Sequence, residues 1–266
     1  STDNPIALLN THWEAVAGAY IEQCAGFGLD PTSTNITYCN PFPAATSTVT
    51  VPMVVTLPNS HSGRAKPASG WPVVIFQHGI TRNRTDAFAV AGTLAAQGFA
   101  VVAIDLPLHG ITDTTSPFYV GNTPFAQLGA AERTFDLDVE NNSTGAAGPD
   151  GAIDPSGSWF INLSSLLTSR DNLRQGVADL FELAHAVPSM HYSANADFDG
   201  SRIAFVGQSL GSIVGTMFVQ IDPNVNTALL SVPGGGIARL LDGSPTFGPR
   251  IRAGLAAAGV EAGTPD

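Results

Sequence analysis

The sequence predicts an α/β fold, a mainly parallel sheet with helices on both faces. Three observations predict it. First, Val73–Gln77 (VVIFQ), Ala100–Leu106 (AVVAIDL) and Arg202–Val206 (RIAFV) are short and almost continuously apolar, the pattern of strands buried on both sides. Second, the stretches between them carry apolar residues at helical spacing, and strands alternating with helices imply parallel crossovers. Third, 44% of the 266 residues are hydrophobic and only 12% are charged, a composition that fills a core and excludes a disordered chain.

The elements follow in order. Residues 1–48 read as an N-terminal extension, with a helix expected over Ala7–Gln23 and then a Thr-, Asn- and Pro-rich loop holding the two cysteines, Cys24 and Cys39. In an exported protein this pair closes a disulfide; in a reducing compartment it stays as two thiols. Val49–Leu57 is rich in β-branched residues and reads as a strand, and Pro52 assigns it to an edge. Asn59–Gly70 is a polar turn. Thr85–Gln97 is a helix with Ala87, Ala91, Leu94 and Ala95 on one face and Gly98 as its stop. The long stretch Ile111–Thr168 shows little periodicity. Asp171–Ala186 is a helix whose apolar face is Leu173, Val177, Leu180, Phe181 and Ala184. Leu210–Ile221 is a second such helix, and Thr227–Val232 a last strand. Residues 49–266 read as the N-terminal part of one domain, into which 111–168 is inserted.

Charge and hydropathy narrow the function. Twenty-two acidic residues stand against 11 basic ones, giving a net charge of −11, and Lys66 is the single lysine. So few cations cannot neutralise a nucleic-acid backbone, so nucleic acid is excluded as the expected partner. No apolar run approaches the roughly 18 residues of a membrane-spanning helix. Few lysines, an acidic balance and a polar start suit a mature exported chain. N-x-S/T triplets at Asn35, Asn83, Asn142 and Asn162 matter only where the source glycosylates.

The chemistry sits at one junction. Gly207-Gln208-Ser209-Leu210-Gly211 is a G-x-S-x-G motif between a buried strand and an amphipathic helix. That is the setting of a nucleophile elbow, where a strained turn lifts a serine hydroxyl above the sheet and flanking glycines let strand and helix approach. The bland alternative is a Gly/Ser-rich turn that binds nothing. A serine that attacks a carbonyl also needs amides to hold the oxyanion. Leu210, the residue after the serine, offers one at a helix N-terminus. Ile80, in the His78-Gly79-Ile80 step after Val73–Gln77, offers the second. His78 itself is expected to be structural.

The His78-Gly79 step, the Asp105-Leu106-Pro107-Leu108-His109-Gly110 turn and the elbow together resemble the α/β-hydrolase superfamily. More narrowly, the turn and Arg170-Asp171-Asn172-Leu173-Arg174-Gln175 resemble the N-terminal region of bacterial virulence-factor extracellular lipases. The resemblance implies hydrolysis of lipid or other carboxylic esters, no cofactor, and a secreted or cell-surface location. It matches Ser209 to the nucleophile, and Leu210 and Ile80 to the oxyanion donors.

One departure stands out. The superfamily orders its triad as serine, acid, histidine. The histidines here, His12, His61, His78, His109, His185 and His191, all precede Ser209. Only one strand is expected beyond the elbow, which leaves an apolar sheet edge unpaired. The expectation is a hydrolase incomplete at its C-terminal side, its acid and histidine carried by a C-terminal remainder of the same protein. Asp242 is a weaker candidate for the acid, and His109 for the base.

Ile111–Thr168 is expected to act as a lid or cap, its Phe118, Tyr119, Phe125, Phe135, Trp159 and Phe160 lining an acyl pocket. An ordinary surface excursion packed by its own aromatics is the alternative. Its acids, including Asp136, Asp138, Glu140, Asp150 and Asp154, lack an EF-hand spacing, so solvated carboxylates are expected and no metal site. Arg170, Asp171 and Arg174 are expected to pair. The functional expectation is a serine esterase or lipase. A peptidase or thioesterase on the same fold, and a silent surface module, remain as rivals.

Overall fold

A computed structural model describes residues 5–16, 21–27, 32–193, 196–257 and 259–260. Five strands form one mixed sheet in the order β1-β3-β2-β4-β5. They are β1 (Met53–Thr56), β2 (Trp71–Gln77), β3 (Ala100–Ile104), β4 (Phe198–Gln208) and β5 (Val225–Ser231). β1 runs antiparallel to β3, and all other pairings are parallel. Pro52 thus precedes an edge strand, as its missing amide requires.

Alternation along β2 and β3 divides the core by face. Val73, Ile75, Ala100, Val102 and Ile104 point to α3 (Leu166–Ala186) and α4 (Leu210–Ile221), meeting Leu180, Leu183, Val214 and Phe218. Val74, Phe76, Val101 and Ala103 point the other way, to Ala87 and Ala91 at and within α2 (Phe88–Ala96). Both faces are covered, which is why these strands read as continuous apolar runs. Phe218 on α4 is fully buried and meets Phe205 and Phe181 edge-on at ring separations of 5.5 and 5.3 Å. β5 is different. Five of its seven residues are exposed, and among the described residues only β4 pairs with it.

α2 begins later than expected, because Arg84–Ala87 is a 3-10 turn capped by the Asn83 side chain. α3 starts earlier, at Leu166, and β4 extends back to Phe198. The helix expected over Ala7–Gln23 is not formed. α1 spans only Pro5–Asn10, and Glu14 and Ala15 bridge to Asn35 and Pro43 instead. The part of that expected helix at residues 17–20 lies outside the described residues. The physical reason is docking: the Trp13 amide donates to Asp171 (2.9 Å) and its indole N–H to Gln175 (3.1 Å), drawing the chain across α3 in extended form. Arg170 and Arg174 both pair with Asp171, at 2.8 and 3.0 Å. Their charges and the Trp13 amide outweigh burial and hold the Asp171 carboxyl below its ordinary pKa. Cys24 and Cys39 form a buried disulfide. Two short helices unforeseen in the sequence, α5 (Ile237–Asp242) and α6 (Phe247–Ala257), follow β5. No helix among the described residues is long and apolar enough to cross a membrane. At the sheet's N-terminal rim, Lys66 pairs with Asp197 just before β4. Asn162 is buried with its amide donating to Leu9, so its triplet is closed to glycosylation in the folded state.

Candidate active site

The strand order changes direction at β2, with β3 on one side and β4 on the other. Ligands of open α/β sheets bind beyond the carboxyl ends of strands at such a point. Gln77 of β2 is in register with Gly207 of β4. Two residues further along each chain, Gly79 therefore lies level with Ser209. A Cβ built on Gly79 would sit 3.2 Å from the Ser209 Cβ and 3.8 Å from its Oγ.

Ser209 joins β4 to α4 at φ 52°, ψ −117°. Side chains rarely adopt this conformation, and it persists where the surroundings over-determine it. Here they do. The Ser209 amide donates to Ser231 of β5 (2.9 Å), and its carbonyl accepts from the Ser212 and Ile213 amides at 2.8 and 3.1 Å. The buried Ser212 hydroxyl donates to Gly207 and Ser231 carbonyls. Glycine is needed at the sharpest approach: a Cβ on Gly211 would fall 2.2 Å from the Gln77 carbonyl oxygen. The Ser209 side chain is half-buried, and among the described residues its Oγ makes no hydrogen bond. The Leu210 amide is the first of α4 and has no partner within the helix.

The turn facing Ser209 is held from behind. The Leu106 amide donates to His78 Nε2 (3.1 Å), which fixes the ring proton on Nδ1, and Nδ1 donates to the Gly79 carbonyl (2.8 Å). The Arg82 amide donates to the same carbonyl at 3.2 Å, closing a tight turn with Thr81 at φ 63°. A trans peptide sets its N–H opposite its C=O. With the Gly79 oxygen held by two donors, the Ile80 N–H is turned away from them. Burial lowers the His78 pKa to about 4. The ring is neutral and both nitrogens are engaged, in keeping with a structural His78.

His109 packs against His78 with ring centroids 5.0 Å apart and ring planes tilted by 51°, and donates from Nδ1 to the Pro107 carbonyl (2.8 Å). Its buried Nε2 has no hydrogen-bond partner among the described residues, and Gly157 abuts it so closely that a Cβ there would lie 2.2 Å away. Burial, with the neighbouring His78, lowers its pKa to about 3. Nothing links His109 to Ser209, and no other imidazole hydrogen-bonds that serine among the described residues. Asp242 is exposed and pairs with Arg252 at 2.7 Å, on no histidine.

A buried ionic cluster, which the sequence reading missed, lies beside this turn. Arg84 donates through its backbone to Asp105 (2.6 Å) and through its guanidinium to Asp105 and to both oxygens of Glu132 (2.7 and 2.8 Å). Burial opposes the Arg84 charge, but Glu132 and Asp105 outweigh it and raise its pKa. Burial pushes the Asp105 carboxyl up, with Arg84 pulling against it. Asp105 opens the turn motif after β3, but no motif marks Arg84 or Glu132 or links them to it. Their one sequence signal is scarcity, since a chain with so few charges places some of them beside apolar runs.

The aromatic residues of 111–168 disperse. Phe160 joins the main core, Phe118 packs on Phe88 at 5.1 Å, Phe135 and Trp159 join a satellite cluster with Leu9 and Leu137, and Phe125 is exposed. The acids there bind loop amides: Asp138 accepts from Asp150 and Gly151, and Asp154 from Val139, Glu140 and Trp159. Among the described residues no group of three or more His, Cys, Asp or Glu is placed to hold a metal ion. An open apolar groove of about 720 Å³ lies between Trp13, Tyr38, Val177, Phe181, Met217 and Ile221, beside the far end of α4 from Ser209.

Residues 44–112, from ahead of β1 to the turn after β3, match the family model described as platelet-activating factor acetylhydrolase, isoform II. No curated protein sequence matches the chain. Among solved structures, acetyl xylan esterase 1 from Thermoanaerobacterium sp. JW/SL YS485 is similar over 70% of this chain and 48% of its own, at 18% identity and TM-score 0.40. A ferulic acid esterase from Streptomyces cinnamoneus is similar over 62% of this chain and 39% of its own, at 18% identity and TM-score 0.36. A phospholipase/carboxylesterase from Dyadobacter fermentans DSM 18053 is similar over 72% and 64%, at 11% identity and TM-score 0.36. The chain thus spans less than two thirds of each of these proteins.

Proposed function

We propose that this chain carries the nucleophile and oxyanion site of an exported α/β-hydrolase that cleaves carboxylic esters, of esterase or lipase type. The observation that carries the reading is the strained Ser209, its hydroxyl facing the Gly79 turn and without a hydrogen bond among the described residues. In the reaction, Ser209 Oγ attacks the acyl carbonyl and gives its proton to a histidine base. The Leu210 and Ile80 amides hold the oxyanion, the alcohol leaves with that proton, and water releases the acyl-enzyme. The histidine and its acid come from further polypeptide that pairs with β5. The exposed apolar edge supports this, with Leu229 57% exposed. The family match over 44–112, to a family described as an acetylhydrolase, supports an acyl ester as substrate. The disulfide supports export.

Labelling of the natural gene product with a fluorophosphonate tests the reading. Labelling is expected at Ser209 and lost in Ser209→Ala. A protein that takes up no label while hydrolysing no p-nitrophenyl ester is a silent module, and the reading fails.

A further inference from the structure

We infer that the segment 111–168 braces the oxyanion turn through two positioning residues, Glu132 and Ser156. The inference rests on the esterase reading and adds a role for a segment that the sequence presents as a cover or a surface excursion.

The turn Gly79–Arg82 contains a β-branched residue, Thr81, at φ 63°, a position where glycine is the comfortable choice. Thr81 is exposed, so nothing packed around its own side chain imposes that conformation. The constraint comes from the ends. At the front, His78 holds the Gly79 carbonyl. At the back, the Arg84 guanidinium is gripped by both oxygens of Glu132, while the Arg84 amide is tied to Asp105. Glu132 itself is buried, and it also accepts from the Ile111 and Val120 amides at 3.1 and 2.9 Å. It therefore fixes Arg84 to three separate stretches of chain. Between these ends, the Ser156 hydroxyl donates to the Arg82 carbonyl (2.7 Å) and accepts from the Gly110 amide (3.1 Å). Arg82 is the residue whose amide closes the turn on Gly79. Two groups from the long segment thus hold Arg82, which ends the turn, and Arg84, two residues beyond it. Through them the segment sets the direction of the Ile80 amide without touching it. A donor misdirected by a fraction of an ångström loses most of its value in the transition state and little in the ground state.

The test uses the natural gene product with p-nitrophenyl butyrate as substrate and an alkyl trifluoromethyl ketone as the oxyanion-forming inhibitor. Glu132→Gln is expected to lower kcat about 10-fold with KM within twofold, and to weaken the ketone by the same factor as kcat/KM. Ser156→Ala is expected to do the same to a smaller degree, about threefold, and keeps the question answerable should Glu132→Gln fail to fold. Adding Thr81→Gly relieves the strain of the conformation that needs bracing, so it should restore about threefold of the kcat lost in Glu132→Gln and most of that lost in Ser156→Ala. Unchanged kcat and inhibitor affinity in folded Ser156→Ala and Glu132→Gln would overturn the inference, as would effects of Thr81→Gly that merely multiply with theirs. A wild-type protein that neither labels nor turns over the ester fails at the esterase reading instead, before any variant is compared.

Discussion

Replacing Ser209 with glycine should make the protein more stable and inactive at once. At φ 52°, ψ −117° a Cβ is strained, at a cost of about 1–3 kcal/mol. Glycine removes that strain but returns about 0.5–1 kcal/mol in unfolded-chain entropy. The hydroxyl contributes nothing to offset the gain, because Oγ has no hydrogen bond among the described residues. The net expectation is a stabilisation of about 1 kcal/mol, or a rise in Tm of about 2–4 °C for a chain of this size. Ser209→Ala is the control. It loses the same hydroxyl but keeps the Cβ, so its Tm should stay with the wild type. Thermal unfolding followed by circular dichroism at pH 7 reads both, and fluorophosphonate labelling should be absent from both. If glycine and alanine variants melt together, the elbow stores no strain and the argument from its backbone is wrong.

Other outcomes follow from the same geometry. Gly211→Ala drives a methyl into the Gln77 and His78 carbonyls, at 2.2 and 2.6 Å, and should destabilise by about 3 kcal/mol or more, seen as a lowered urea midpoint. Stability should fall on acidification between pH 6.5 and about 4. The folded His78 pKa lies below the unfolded value, so in that window the unfolded chain binds a proton that the folded one refuses. The full displacement is worth about 3 kcal/mol, and His78→Asn should flatten the slope of urea midpoint against pH. Changing both Cys24 and Cys39 to serine opens a loop of 15 residues and should cost about 3 kcal/mol, read as a lower Tm.

The parts of the fold legible in the sequence are those whose cause is local. β2 and β3 lie between helices on both faces, so their burial appears directly as continuous apolar runs. α4 spans Leu210–Ile221 as expected, because its start is set by the elbow and its end by Asp222, whose backbone is extended. The elbow was visible because its motif is contiguous and Gly207 is closed against the Gly211 carbonyl, although the contact that requires Gly211 is with the distant Gln77 and His78 carbonyls. Other features depend on distant partners. Trp13 leaves the helical pattern because Asp171 and Gln175 take its two N–H groups, across a separation no periodicity records. α6 was hidden by Gly248 and Pro249, yet a proline in the first turn gives up no helical hydrogen bond. The Arg84–Asp105–Glu132 cluster joins residues 21 and 48 positions apart and follows no repeat, so only coordinates could assemble it.

Lys66 is the one side-chain amine in the sequence. Its ammonium is paired to Asp197 where β4 begins, and Ser209 lies where the same strand ends. Within these 266 residues, chemistry directed at primary amines on side chains has one address, at the opposite rim from the candidate site. A bead or sensor chip coupled through that residue would hold every molecule in the same pose, with the elbow facing the liquid.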